Sequence, residues 1–260
     1  MHGLVAVDWH IIWLRIFHPG NVFARALWVT IYISVVSQIL GVALGLVAAL
    51  MRMSRVAPLR WLSGIYVWIF RGTPLLVQIF FIYTTFNTPS FQFGRLWAVP
   101  AEATTGILAL SINEGAYMRE IIRAGIDSID RGQMEAAKSL GMRHGQAMRR
   151  IILPQAARVI VPPLGNEFNN MMKNTALVFT IGVYELFADA QAQYSVALKS
   201  EYFVAVAVWY LMLTTVWTFI QAWIERRLSV SDRGEELSFR ERLELSWNPL
   251  TAWGRGAPHR

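Results

Sequence analysis

Seven polar residues crowd one short run of this chain: Asn166, Glu167, Asn169, Asn170, Lys173, Asn174 and Thr175. On a helix, Glu167, Asn170 and Asn174 share a face, because residues three and four apart are neighbours. Asn166, Asn169, Asn170 and Lys173 do so too. The run lies inside an otherwise apolar segment, where polar groups facing lipid would each be expensive. These side chains must therefore face the protein interior, a partner helix or a water-filled path. Two readings fit: a satisfied polar seam, or a site for a polar solute. A seam seldom needs both an acid and a base, and this run supplies Glu167 and Lys173. Glu114 is a second acid within an apolar stretch and poses the same choice, between a functional carboxylate and a group resting at the interface; its place late in the helix favours the interface.

A second stretch, Glu135 to Pro154, is polar and basic and separates two apolar segments. It reads as two short helical pieces. The first spans about 129–140 and ends at Gly141, since glycine takes the left-handed cap conformation cheaply. The second carries Arg143, His144, Arg149 and Arg150 and stops before Pro154. Ala136, Ala137 and Gly141 are small enough to let another protein surface approach, whereas a solvated hairpin joining two membrane helices is the plainer alternative.

The elements that position these residues belong to a membrane protein. Hydrophobic residues make up 55% of the 260 and charged residues 16%, against roughly 25% in soluble domains. The 11 Trp suit interfacial belts. The net charge of +7 sits in short loops beside apolar runs. It is explained by orientation in the membrane, and no nucleic-acid partner is expected. The absence of cysteine excludes disulfides and thiolate metal sites.

Residues 1–25 mix Trp9, Trp13 and Phe17 with Asp8, Arg15 and His18, as a short interfacial helix would. No cleavable signal peptide is expected, because Asp8 lies early and the first long apolar run follows Arg25. Residues 26–51 are long enough to span. They contain Gly41 and Gly45, a spacing that permits close helix packing. Arg52, Arg55 and Arg60 then mark a cytoplasmic loop, which puts the N-terminus outside. Arg71-Gly72-Thr73-Pro74 interrupts the next apolar stretch. The expectation is an interfacial segment over 61–70 and a membrane helix over 74–88 capped by Thr73; a continuous, proline-kinked helix with Arg71 facing inward is the alternative. Further spans are expected over 101–117, 158–182 and 202–224, with extracytoplasmic loops over 87–100 and 189–201. Arg226 and Arg227 then return the chain to the cytoplasm. Residues 228–260 read as a cytoplasmic tail, with a short amphipathic helix over 239–247. The fold class is all-α membrane protein with about five transmembrane helices over 26–227.

Enzymatic motifs are missing. No phosphate-binding G-x-x-x-x-G-K-[ST] loop, H-E-x-x-H pair or G-x-S-x-G elbow occurs. The five His are scattered. No catalytic residue, metal site or cofactor is expected in this chain.

Glu135-Ala136-Ala137, Gly141 and Ile151-Ile152-Leu153-Pro154 match the EAA motif of ABC-transporter permeases at every fixed position. Phe70 to Gln78, FRGTPLLVQ, resembles the polar amino acid permeases within that superfamily. So do Ala116 to Met142 and KNTALVFTIGVYEL over Lys173 to Leu186. Arg119 departs from the pattern, which usually has alanine there. The likeness runs from about Leu27 to Ile224 and implies the type I ABC importer permease fold, with a cytoplasmic coupling helix. The coupling residues it implies are Glu135, Ala136, Ala137 and Gly141. It further implies a bacterial inner-membrane location, a second permease subunit, a pair of ATPase subunits that bind ATP and Mg, and an extracytoplasmic amino-acid-binding protein. Substrate would meet Glu167, Asn170, Lys173 and Asn174. Glu167 stands where cationic amino acid relatives carry a carboxylate. Asn174 replaces a second one, which weakens the case for arginine or lysine as cargo. Another amino-acid-like cargo (an opine, ectoine or small peptide) and an ion-coupled secondary transporter relaying protons through Lys173 and Glu167 are the alternatives.

Overall fold

The computed structural model describes residues 7–93 and 97–228. Its centre is a pair of long helices, α2 (Asn21–Met53) and α5 (Ala101–Asp127). They meet through glycine. A Cβ at Gly41 would lie 2.6 Å from Glu114 Cγ, and one at Gly115 would lie 2.9 Å from Leu44 Cβ. At Gly45 it would collide with Met118 Cβ and come within 2.9 Å of Arg119 N. The Gly41–Gly45 spacing is thus a packing device. The contacts advance together along both chains, so α2 and α5 run parallel. Gly45→Val is expected to destabilise by about 3 kcal/mol, since part of the obstruction is backbone and does not yield. Thermal unfolding in detergent checks this against Gly72→Ala, where a Cβ meets nothing within 4 Å.

α3 (Ala57–Gly72) and α4 (Leu75–Thr85) form one broken element bent by 108°. The break near Pro74 is as the sequence indicates, and the continuous kinked helix is not what forms. The cap differs from expectation. Thr73 closes α3, its Oγ1 donating to Ile69 O at 2.8 Å, and Pro74 precedes the first turn of α4. Gln78 holds the bend. Its Nε2 lies 2.9 Å from Phe70 O, 3.0 Å from Thr73 O and 2.8 Å from Thr73 Oγ1. Its Oε1 accepts from Asn113 Nδ2 on α5 at 2.9 Å. Phe70 to Gln78 is therefore the sequence of a stapled break at the level of α5's midpoint. Arg71 faces outward and stacks over Tyr117 at 5.1 Å. Gln78→Leu leaves the Thr73 carbonyl without its side-chain donor and reduces buried Asn113 to its bond with Phe70 O at 3.0 Å. It is expected to cost about 2–3 kcal/mol, read as a lowered unfolding midpoint.

The 87–100 loop contains a two-stranded hairpin, β1 (Phe91–Phe93) against β2 (Trp97–Val99), antiparallel with Phe91 opposite Val99. After α5 the chain turns back through α6 (Arg131–Ser139) and α7 (His144–Ala147) into α8 (Leu153–Asn174). The second piece of this hairpin does not stop before Pro154. Residues Met148–Ile152 make a π turn, with Leu153 N donating to Met148 O, and the helix continues. The wider turn accommodates a proline that offers no N–H. α8 and the segment after it run antiparallel to α5: Gly125 faces Ile160 on α8, and Gly106 faces Val178 just beyond its end. Beyond Asn174 the expected helix to 182 becomes a 3-10 segment, Thr175–Ile181, ended by Gly182 at φ +94°.

The expected 189–201 loop is largely helix, α9 (Leu186–Ala197). Fully buried Glu185 caps it, accepting from Phe187 N, Ala188 N and the Tyr210 hydroxyl at 2.7–3.0 Å. α10 (Glu201–Leu228) closes the described chain. Its Trp217 Nε1 donates to Gly165 O, and Gln221 Nε2 to Pro162 O. The helix expected over 239–247 lies outside the described residues. α2 and α10 are each long and apolar enough to span, and the bent α3–α4 pair makes a third candidate. α5 and α8 are more polar, and α5 is clothed by its neighbours.

α1 (Trp9–Phe17) is the short N-terminal helix the aromatic pattern suggests. Asp8 anchors it to the start of α10. Its Oδ2 accepts from Lys199 Nζ at 2.8 Å, and its N–H donates to Glu201 Oε1 at 2.9 Å. The Lys199 hydrogen bond holds the Asp8 carboxyl below the usual carboxylate range, and the same bond raises Lys199. A depressed carboxylate stabilises the fold above its unfolded pKa and loses that contribution as pH falls through the folded one. The clasp is therefore expected to loosen below about pH 4, seen as faster amide exchange in α1.

Candidate functional site

The four residues expected to couple, Glu135, Ala136, Ala137 and Gly141, sit on α6 and just after it, at the end where α2 and α5 finish. Asp130 starts the helix, its Oδ1 accepting from Gly132 N at 2.6 Å. Gly141 ends it at φ +79°, with Met142 N donating to Ala137 O. A β-carbon is strained at that φ, so glycine fixes the turn. Glu135, Ala136 and Gly141 are exposed, whereas Ala137 is 1% exposed. The expectation that Ala137 belongs to the outward surface is corrected here: it seats α6 on its own chain. The outer face gains Leu140 instead, 83% exposed. The signal was in the sequence, since Leu140 stands four residues after Ala136, but an apolar residue beside a glycine cap reads as a buried one.

The α8 run lies halfway along the bundle. Asn166, Asn170 and Lys173 are exposed, Glu167 and Asn174 half-buried. All five lie on the part of α8 that the chain's other helices leave largely uncovered, so one copy of the chain makes an open wall and no closed pocket. Asn166 Oδ1 is 3.4 Å from Gln221 Nε2 on α10. Behind the wall, Gln38 Nε2 donates to Glu114 Oε1 at 2.9 Å. Glu114 is 4% exposed and wedged against Gly41. Glu114 thus sits inside the helix packing, where the sequence reading placed it at the interface. The close approach at Gly41 draws it in. Two buried amide oxygens, Gln38 Oε1 and Asn169 Oδ1, have no hydrogen-bond partner among the described residues. Among those residues there is also no group of His, Asp or Glu suited to a metal ion.

Directly after Lys173 and Asn174 comes the seven-residue 3-10 segment, longer than such runs usually are. It joins the polar wall to the Glu185 junction, at the opposite end of the bundle from α6.

Residues 41–230 match the family of binding-protein-dependent transport system inner membrane components. The chain is 39% identical over 206 residues to the probable amino-acid permease protein YxeN of Bacillus subtilis, covering 79% of this chain and 90% of that one. It is 40% identical over 225 residues to the L-cystine transport system permease protein TcyB of the same organism, covering 86% and 92%. Among solved structures it resembles a chain of an amino acid ABC transporter crystallised with histidines, at TM-score 0.73 and 37% identity, covering 86% of this chain and all of that one. These likenesses, with a hairpin helix presented at one end and a polar wall at mid-height, set aside the ion-coupled alternative. The chain belongs to the binding-protein-dependent transport system inner membrane components, the membrane-spanning permease subunits of ABC importers.

Proposed function

We propose that this permease carries a polar amino acid inward across the bacterial cytoplasmic membrane, with its N-terminus outside and its C-terminus in the cytoplasm. The observation that carries the reading is the open wall of Glu167, Asn170, Lys173 and Asn174 at mid-height. A charged and amide-rich face in a membrane helix demands a cover. A second permease subunit, identical or related, supplies it and encloses a path between the two walls. Glu167 takes the substrate's α-ammonium, Lys173 its carboxylate, and Asn170 and Asn174 its side chain. The cystine and other amino-acid permeases among the relatives support this class of cargo.

ATP and Mg are bound by a pair of partner ATPase subunits, which grip the exposed face of α6 through Glu135, Ala136, Leu140 and Gly141. An extracytoplasmic binding protein delivers substrate at the opposite end. A ligand shifts a two-state equilibrium only by its differential affinity for the states. ATP and the loaded binding protein must therefore each prefer one state.

Uptake of labelled solutes into proteoliposomes tests the reading, with ATP inside and the binding protein outside. Accumulation of a polar amino acid supports it. Accumulation of an opine, ectoine or small peptide alone would replace the cargo and keep the machine.

A further inference from the structure

We propose that the corner between α2 and α3 is a binding site for an anionic phospholipid. A cavity of about 480 Å³ opens there, lined by Arg52, Arg60, Trp61, Gly64, Ile65 and Trp68. The residues divide by chemistry. Arg52 closes the last turn of α2, Arg60 lies in the first turn of α3, and among the described residues no acidic side chain lines the space. Trp61 and Trp68 are 73% and 75% exposed and stand along the apolar part.

The stripe at 61, 64, 65 and 68 is one face of α3. The opposite face is committed inward. Ser63 Oγ donates to Ala48 O at 2.7 Å and accepts from Arg119 Nε at 3.1 Å, and the Tyr66 hydroxyl donates to Ile112 O at 2.6 Å. The cavity wall is thereby held rigid from behind. Arg60 is pre-set as well, its Nη1 donating to Ser54 O and Arg55 O at 3.2 and 2.8 Å. Its other two nitrogens carry three more N–H groups suited to a phosphate fork. Gly64 leaves the floor open, since a Cβ there would meet nothing within 4 Å.

Position decides the occupant. The cavity begins where the apolar length of α2 ends in Arg52, the level at which a headgroup meets acyl chains. Two arginines take the phosphate diester, and the tryptophan-lined wall takes the first part of an acyl chain. The site bears on function through α3, whose far end leads into the stapled break. It does not depend on which solute is carried.

Native mass spectrometry of the complete transporter tests this, with equimolar dioleoyl phosphatidylglycerol and dioleoyl phosphatidylcholine as probes. The wild type is expected to retain phosphatidylglycerol on the order of tenfold over phosphatidylcholine. Arg52→Gln with Arg60→Gln brings that ratio close to one, and Arg52→Lys with Arg60→Lys keeps most of it. Trp61→Ala with Trp68→Ala lowers retention of both lipids and leaves the ratio. An unchanged ratio in the Gln pair overturns the proposal. So does loss of phosphatidylglycerol to excess inorganic phosphate, which would make this a simple anion site. A second permease copy seated on this face would also overturn it, and would show as lipid retention indifferent to all three variants.

Discussion

Leu140→Asp is expected to abolish transport and to release the ATPase subunits while leaving the permease folded. Leu140 is 83% exposed on a loop that the basic residues place outside the apolar zone, so it contributes little to the chain's own stability. On the proposed reading, a partner ATPase subunit covers it. Buried interface anchors commonly cost 2 kcal/mol or more when truncated, and a carboxylate forced into an apolar groove costs more. That is at least a 30-fold loss of affinity. Co-purification of permease and ATPase reads the loss, and the permease's unfolding midpoint in detergent stays at the wild-type value. Ala137→Asp separates the two roles of the motif. Ala137 is buried under α6, so that variant lowers the midpoint as well. If Leu140→Asp leaves the complex intact, the outer face of α6 is not where the ATPase grips.

Glu167→Gln is expected to cut uptake at least tenfold and to remove the stimulation of ATP hydrolysis by substrate. Basal hydrolysis persists, because the α6 surface is untouched. The magnitude follows from a charge-assisted hydrogen bond to the substrate's ammonium, worth about 1.5–3 kcal/mol. The neutral amide keeps the size and one acceptor, so packing against α5 changes little. Glu114 responds differently. It is buried behind Gly41 and tied to Gln38. Glu114→Gln is therefore a control, perturbing the packing behind the wall without removing a group that lines it. Equal loss in both variants, with both unfolding midpoints lowered, would make Glu167 a structural residue.

The sequence showed the architecture where one physical rule dominated. Apolar length with flanking arginines marked α2 and α10. Arg71-Gly72-Thr73-Pro74 marked the break between α3 and α4, because an arginine and a proline together cannot continue a lipid-facing helix. Gly141 marked the end of α6. The misses occur where partners distant in sequence decide. Gln78 reaches Asn113, 35 residues on, and Glu114 is drawn inward by Gly41 on another helix. Neither partnership has a local signature. The π turn before Pro154 and the 3-10 segment after Asn174 preserve helical continuity by changing the hydrogen-bond step, which periodicity does not register. α9 was missed because its polar residues resemble a loop, while its start is fixed by Glu185, a cap buried against α10. For the candidate site, the residue types and their shared face were legible from the 166–175 run. That one copy leaves this face open needed the packing of α5 and α10.

On the proposed mechanism, substrate at the α8 wall and the ATPase subunits on the α6 face control the same movement. ATP hydrolysis by the reconstituted permease–ATPase complex tests it most directly, with the binding protein and a panel of amino acids. The expected result is stimulation by one polar amino acid, lost in Glu167→Gln with basal hydrolysis retained. Hydrolysis indifferent to every amino acid, with the binding protein present, would contradict the claim.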